Sequence, residues 1–224
     1  KGRRPMTKVK GGSMLFPGIN PFSKVTGAIA CMLSAICVVS AVWAGPPFRT
    51  DDPEPADYKH GEFYVASQYF NDKGGNSATA PHFEFNYGFL PDMHVHLIAP
   101  LVYNKPSGEP SHYGFGDIEL GVKYRFYNNE ESHFMIGTFP LVPLPTGESS
   151  KGLGEGRINF FIPLWVQKSW GPWQTYGGGG FWHHPGPDNK NFWFFGWQVQ
   201  RELSKMFTLG AELFDVTKMD TGGK

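Results

Sequence analysis

Residues 116–126 read Gly-Asp-Ile-Glu-Leu-Gly-Val-Lys-Tyr-Arg-Phe. Charged residues occupy one parity of this stretch, and apolar residues occupy the other. Because successive side chains of a β-strand point to opposite faces, the stretch predicts a strand with one charged and one apolar face. A soluble β-sandwich could show the same alternation with its apolar face in the core. The charged positions are Asp117, Glu119, Lys123 and Arg125, and the apolar positions are Ile118, Leu120, Val122, Tyr124 and Phe126.

The composition of the whole chain also favours strands and turns over helices. Its 224 residues include 29 Gly, 20 Phe, 9 Tyr and 7 Trp. The formal net charge is zero, which argues against a nucleic-acid-binding protein that relies on a basic field. The sequence contains no nucleophile elbow, phosphate-binding loop or paired-cysteine metal motif. It therefore predicts neither catalytic residues nor a cofactor.

An apolar segment at residues 25–42 follows Lys24 and ends in small residues. This pattern is typical of a secretory signal, with cleavage predicted before Gly45. A single transmembrane anchor is the alternative, since 18 residues lie near the lower limit for spanning a bilayer. Both cysteines, Cys31 and Cys37, lie inside the segment, so the mature chain would have no cysteine.

Three regions follow from these patterns. Residues 1–44 are upstream sequence plus the secretory signal, residues 45–57 form a Pro-rich periplasmic leader, and residues 58–224 form a β-barrel domain. The barrel region contains about nine stretches that read as strands, joined by alternating long and short connections. Residues 218–224 lack a closing aromatic strand, and an odd strand number is unusual for a bacterial barrel. We therefore predict a fragment whose further strands follow its carboxyl end.

Aromatic residues flank three of the short turns. Outer-membrane barrels combine short periplasmic turns, long external loops and aromatic girdles at the membrane interfaces. The pattern therefore predicts a transmembrane antiparallel up-and-down β-barrel in the outer membrane of a Gram-negative bacterium. A soluble lipocalin-like barrel, with the faces inverted, is the alternative. The flanking residues are Tyr87 and Phe89, Phe126 and Tyr127, and Trp170 and Trp173.

The hairpin at residues 82–98 carries a cluster of polar side chains. A turn centred near its middle would place Asn86 opposite His94 and Glu84 opposite His96 on the inward face. Two histidines with a carboxylate across the ladder could ligate a metal or respond to pH. Because any barrel interior requires polar lining, and no tetrahedral ligand set is visible, we predict no metal site.

Inward-facing polar and charged residues are the candidates for a solute path. Their charges have both signs, so they could set pore selectivity or pair with each other across strands. The predicted lining residues are Glu84, His94, His96, Asp117, Glu119, Lys123, Arg125 and Arg157.

Three segments carry a resemblance to a known family. Residues 45–55 read Gly-Pro-Pro-Phe-Arg-Thr-Asp-Asp-Pro-Glu-Pro, residues 114–126 read Gly-Phe-Gly-Asp-Ile-Glu-Leu-Gly-Val-Lys-Tyr-Arg-Phe, and residues 139–147 read Phe-Pro-Leu-Val-Pro-Leu-Pro-Thr-Gly. With these motifs the chain resembles the bacterial outer-membrane transporters that are associated with the phenol meta-cleavage (MetA) degradation pathway.

This resemblance implies an outer-membrane channel that passes small compounds, aromatic or hydrophobic ones among them, by diffusion through a polar lumen. Its implied partners are outer-membrane lipids and a small-molecule solute. Two other functions stay open from the sequence. One is a barrel enzyme that acts on lipid, and the other is a structural or surface β-barrel without transport activity.

Overall fold

A computed structural model describes residues 48–187 and 189–219, and these residues are nearly all in strands and turns. The predicted signal at residues 25–42 lies outside the described residues. Within the described ranges, no helix is long and apolar enough to cross a membrane. The strands are β1 (Gly61–Asp72), β2 (Gly75–Leu90), β3 (Met93–Pro106), β4 (His112–Phe115), β5 (Ile118–Asn129), β6 (Phe134–Thr138), β7 (Leu141–Leu144), β8 (Phe160–Trp170), β9 (Trp173–His183), β10 (Phe192–Ser204) and β11 (Phe207–Val216).

The strands form one antiparallel sheet in the order β1-β2-β3-β5-β6-β8-β9-β10-β11, with the short β4 beside β3 and the short β7 beside β5 and β8. Strands that are neighbours in sequence are neighbours in space, so the predicted up-and-down, barrel-like all-β fold is confirmed. The Arg49 guanidinium lies 4.7 Å from the ring centre of Phe214 on β11 and 5.9 Å from that of Phe70 on β1. Both ends of the sheet therefore approach one side chain, although no ladder joins β1 to β11 among the described residues.

The connection between β1 and β2 is tighter than predicted. The polar sequence of residues 71–79, which contains Gly74 and Gly75, predicts a loop, but β1 extends to Asp72 and β2 already begins at Gly75. Gly75 makes this possible because its φ of +137° is rarely adopted by other residues. A Cβ at this position would also overlap the carbonyl oxygen of Lys105 on β3. Backbone freedom at one glycine thus turns the predicted loop into a hairpin.

The register of the β2–β3 hairpin also differs from the prediction. The structure places Asn86 opposite His96, whereas the sequence predicts Asn86 opposite His94 and Glu84 opposite His96. The chain reverses at residues 91–92, later than predicted. Each residue of delay in a turn moves the opposite partner by two positions, so the side chains keep their faces but change partners.

The two faces of the sheet have opposite character. A row of apolar side chains crosses four neighbouring strands on the outer face, and each of its members is between 39% and 65% exposed. On the other parity of β5, Lys123 is only 6% exposed. The alternation predicted for residues 116–126 is therefore present, with the apolar face outside. The row consists of Phe63, Phe85, Leu97 and Leu120.

The glycine run at residues 177–180 of β9 lets aromatic side chains lie close to the backbone on both faces. If each of the four glycines carried a Cβ atom, that atom would overlap or touch aromatic ring atoms of a neighbouring strand. This arrangement explains how a stretch with weak strand propensity is held in the sheet. On one face Trp197 covers Gly177 and Phe195 covers Gly179, and on the other Trp165 borders Gly178 and Phe161 covers Gly180.

We expect Gly178→Ala to destabilise the fold by about 1–3 kcal/mol, because its Cβ would overlap the carbonyl oxygen of Leu164. Urea unfolding followed by tryptophan fluorescence measures the loss. Gly108→Ala is the matched control, because Gly108 also has a positive φ but no atom near its Cβ position. Equal losses in the two variants would contradict the packing argument.

Candidate functional site

Residues 48–57 lie across the inward, polar face of the sheet, and we call them the inner strap. The sequence predicts a periplasmic leader here, but the structure packs this segment against residues of seven strands. Pro53 and Pro55 lack the backbone N–H that a ladder would need, and residues 48–57 form no strand. The contacts reach Gly88 on β2, His94 on β3, Lys123 on β5, Gly137 on β6, Gln167 on β8, Gly196 on β10 and Glu212 on β11.

Lys123 is the central charge of the site. Its Nζ lies 2.9 Å from Asp51 Oδ1 and 3.4 Å from Asp52 Oδ1, both on the inner strap. The same Nζ lies 4.9 Å from the ring centre of Phe139, within the range of a cation–π interaction. Burial raises the pKa of the Asp52 carboxyl to about 6, because it outweighs the opposing attraction of Lys123. One buried lysine is thus shared by two carboxylates.

Glu212 on β11 fixes the amino-terminal part of the inner strap. Its carboxylate accepts hydrogen bonds from the backbone N–H of Arg49 at 3.1 Å and of Thr50 at 2.5 Å. The Thr50 hydroxyl donates a third bond at 2.5 Å. Further along, Gln167 Nε2 donates to Glu54 Oε2 at 3.2 Å. Acidic groups on the sheet and on the strap therefore both take part in docking.

His94 fixes the carboxyl-terminal part of the inner strap. The Ala56 N–H donates to His94 Nδ1 at 2.9 Å. A ring nitrogen that accepts a hydrogen bond carries no proton, so His94 is a neutral imidazole with its proton on Nε2 in this arrangement. The sequence predicts His94 on the inward face, which is correct, but its partner is strap backbone rather than a neighbouring strand.

His96 joins a separate polar network beside the strap. Asn86 Oδ1 lies 2.6 Å from His96 Nδ1, and Asn86 Nδ2 donates to Glu84 Oε1 at 2.9 Å. Glu119 Oε1 lies 3.5 Å from His96 Nε2 on the other side of the ring. Asn86 thereby orients both the imidazole and a carboxylate. The network brings together three of the predicted lining residues, Glu84, His96 and Glu119.

Asp117 is predicted from its parity to line the lumen, but its side chain contacts a loop. It precedes β5, and its carboxylate accepts hydrogen bonds from the backbone N–H groups of Gly147 at 2.9 Å and Glu155 at 2.7 Å. Partial burial raises the pKa of the Asp117 carboxyl. These contacts tie the start of β5 to the long connection at residues 145–159. Asp117 therefore organises a loop.

The two predicted arginines lie away from the centre of the site. Arg125 Nη2 is 2.8 Å from Asp92 Oδ1, so the arginine is paired with the turn between β2 and β3. Arg157 precedes β8, which begins only at Phe160, and its side chain is exposed. Arg157 is predicted to line the lumen, but it lies outside the strands, because the long connection continues through residue 159 before pairing starts.

An aromatic cluster lies on the inner face beside these polar groups. Phe139 connects it to the polar part, because its ring centre lies 5.6 Å from that of His94 and 5.1 Å from that of His96. Phe161 and Trp182 stack with their ring centres 4.7 Å apart. The inner face thus has a polar half and an aromatic half that meet at Phe139. The buried cluster consists of Phe139, Phe161, Trp165, Trp182, Phe192 and Phe194.

Neither metal binding nor a known relative supplies a further assignment. Among residues 48–187 and 189–219, no group of three or more His, Cys, Asp or Glu side chains is placed to hold a metal ion. No protein-family model and no curated protein matches the chain. The resemblance carried by the three sequence segments therefore stays a prediction, and the site is interpreted from its geometry alone.

The sequence reasoning missed the residues that occupy the site. The sequence predicts that Asp51 and Asp52 belong to a Pro-rich periplasmic leader, but in the structure they contact Lys123, more than seventy positions away. The only local signal is an acidic pair between prolines in a segment that also contains aromatic and small residues. Such a signal predicts an extended segment, but it cannot identify the strand residues that this segment contacts. Phe139 and Gln167 were likewise without an assigned role.

We expect Lys123→Met to destabilise the fold by about 3–5 kcal/mol, because it leaves two strap carboxylates without their buried cation. Adding Asp51→Asn and Asp52→Asn to Lys123→Met should recover much of this loss. Chemical unfolding followed by tryptophan fluorescence measures the free energy of unfolding of the unmodified protein, of Lys123→Met and of the triple variant.

Lys168→Met is the control, because the Lys168 ammonium donates to the backbone carbonyl of Ser132 and has no strap partner among its described contacts. If Lys123→Met destabilised the protein no more than Lys168→Met, the strap ion pairs would not stabilise the fold.

Proposed function

We propose that the chain is a transmembrane β-barrel of a Gram-negative outer membrane, and that it serves as a channel or transporter for small aromatic or hydrophobic compounds. The observation that carries the proposal is the apolar outer face. Large apolar side chains lie exposed along strand after strand, while Lys123, on the opposite parity of β5, is only 6% exposed. A water-soluble protein rarely exposes such a continuous surface, whereas lipid would solvate it.

Strand length and aromatic placement support a membrane position. The eight long strands have between 10 and 16 residues, and a tilted membrane strand needs about 9–11. Exposed aromatic side chains also surround the short turns, where an interfacial girdle would lie. They are Tyr87, Phe89, Phe126, Tyr127, Trp170, Trp173 and Phe207.

The inner face supports passage of small molecules with an aromatic or apolar part. Its polar half offers Lys123, His96 and the carboxylates around them, and its aromatic half offers stacked rings. Solutes that carry both a ring and a polar group could contact both halves near Phe139.

Fractionation of the producing cells tests the membrane part of the proposal. We expect the full-length protein in the outer membrane, and we expect its migration in detergent gels to change on heating, as folded barrels unfold. Proteoliposome swelling with small aromatic solutes tests transport. A protein recovered soluble from the periplasm would contradict the membrane assignment, and barrels that admit no solute would contradict transport.

Leu120→Arg should disfavour membrane folding by about 2–4 kcal/mol. Leu120 lies six residues from the girdle residue Phe126, which at about 3.4 Å per residue and a tilt of about 40° places it roughly 15 Å deeper, near mid-membrane. Equilibrium folding into vesicles, followed by tryptophan fluorescence, measures the effect.

Leu203→Arg is the matched control, because Leu203 is also exposed but lies beside the short turn between β10 and β11. Its cost should be about 0–1 kcal/mol, as expected near an interface. Equal effects at the two depths would contradict the proposed position of the bilayer.

A further inference from the structure

The inner strap occupies space that the sheet leaves open for it. Four inward positions beneath the strap are glycines, and a Cβ at each of them would meet a strap atom. A methyl group at Gly88 would overlap the carbonyl oxygen of Asp57, and one at Gly196 would overlap the Thr50 hydroxyl. The strap therefore lies in a groove that extends across the inner face. The other two glycines are Gly137, under Pro53, and Gly210, beside Phe48.

A ligand could replace the strap in its contacts with the sheet. Side-chain carboxylates and single backbone N–H groups hold it, and residues 48–57 add no strand to the sheet. Proline at positions 53 and 55 removes two of the N–H groups that a ladder would need. Release of the strap would thus break side-chain contacts and leave the sheet intact.

The strongest of these contacts marks an anion-binding site. Lys123 is 6% exposed and offers its ammonium to carboxylates that belong to the strap. The ring of Phe139 lies beside the ammonium, and Phe161 and Trp165 continue the aromatic surface from there. An ammonium group beside several aromatic side chains favours a ligand with one carboxylate and one aromatic ring, because the carboxylate can pair with the ammonium and the ring can stack on the aromatic side chains.

We propose that the inner strap is a removable plug, and that aromatic carboxylates open the solute path by replacing Asp51 and Asp52 on Lys123. This inference rests on the proposed transport function and adds to it a solute class and a gate. In the plugged state the strap covers Lys123 and His94. In the open state the carboxylate of the solute binds Lys123, and its ring lies against Phe139.

Conductance of the full-length protein in planar bilayers with sodium chloride tests the plug. We expect low conductance from the unmodified protein and an increase of about tenfold or more from the Asp51→Asn, Asp52→Asn double variant, because the plugged state loses its ion pairs. Glu54→Gln is the control. It also removes a strap charge, but Glu54 bonds to the neutral Gln167, and a glutamine can accept the same hydrogen bond.

The solute class is tested on the unmodified protein with benzoate and benzamide, which share a ring and differ in charge. We expect benzoate to raise the conductance saturably, benzamide to leave it unchanged, and Lys123→Gln to abolish the benzoate response. This comparison needs no strap variant, so it decides the question even if the double variant fails to fold. Equal responses to benzoate and benzamide would overturn the proposal.

The failure of this inference can be distinguished from failure of the proposed function. If the unmodified protein, the double variant and Glu54→Gln conduct equally, the plug is refuted while transport stands. If folded, membrane-inserted proteins conduct no ions and admit no solute with or without benzoate, the transport function itself is refuted. Heat-modifiable migration of each variant in detergent gels establishes that the compared proteins are folded.

Discussion

The alternation of side chains along the strands is the constraint on which the other features depend. Once the apolar parity of β5 faces outward, Glu119 and Lys123 must face inward, together with the polar residues of β2 and β3. Charged groups enclosed on the inner face need partners, because an unpaired buried charge is strongly unfavourable. The protein provides them in two ways. Neighbouring strands supply the network around His96, and the inner strap supplies the carboxylates for Lys123.

The inner strap connects the fold to the proposed function. It neutralises the main inward cation, covers the polar half of the inner face and reaches β11 through Glu212. Arg49, at its beginning, also lies near aromatic rings of both edge strands. The same segment therefore contacts both edges of the barrel-like arrangement and, in the proposed plugged state, blocks the solute path. A stabilising element that binds through exchangeable side-chain contacts is suited to regulate access, since a competing ligand can replace those contacts without breaking the sheet.

The strands were largely predictable because alternation and turn residues are local signals. They correctly give the antiparallel order and the outward position of Leu120, but they do not give the short β4 and β7, so the described residues form eleven strands rather than about nine. Register was less predictable, since a small delay in one turn changes the partner of Asn86. The β1–β2 hairpin depends on the backbone conformation of Gly75. The contact of Asp51 with Lys123 could not be predicted from local sequence patterns, because the two residues are 72 positions apart and no pattern specifies that they meet. Arg157 shows the same limit, as its parity suggests a strand that begins only at Phe160.

In the proposed arrangement, the sheet has lipid outside and a shielded polar face inside. Spin labels on single cysteines along β5, in protein folded into vesicles, test it most directly through collisions with oxygen, which concentrates in lipid, and with a water-soluble nickel chelate. Labels at Leu120, Val122 and Tyr124 should collide mainly with oxygen, and labels at Glu119 and Arg125 should not. Accessibility that lacks this two-residue period, or that shows it with the parities reversed, would contradict the account.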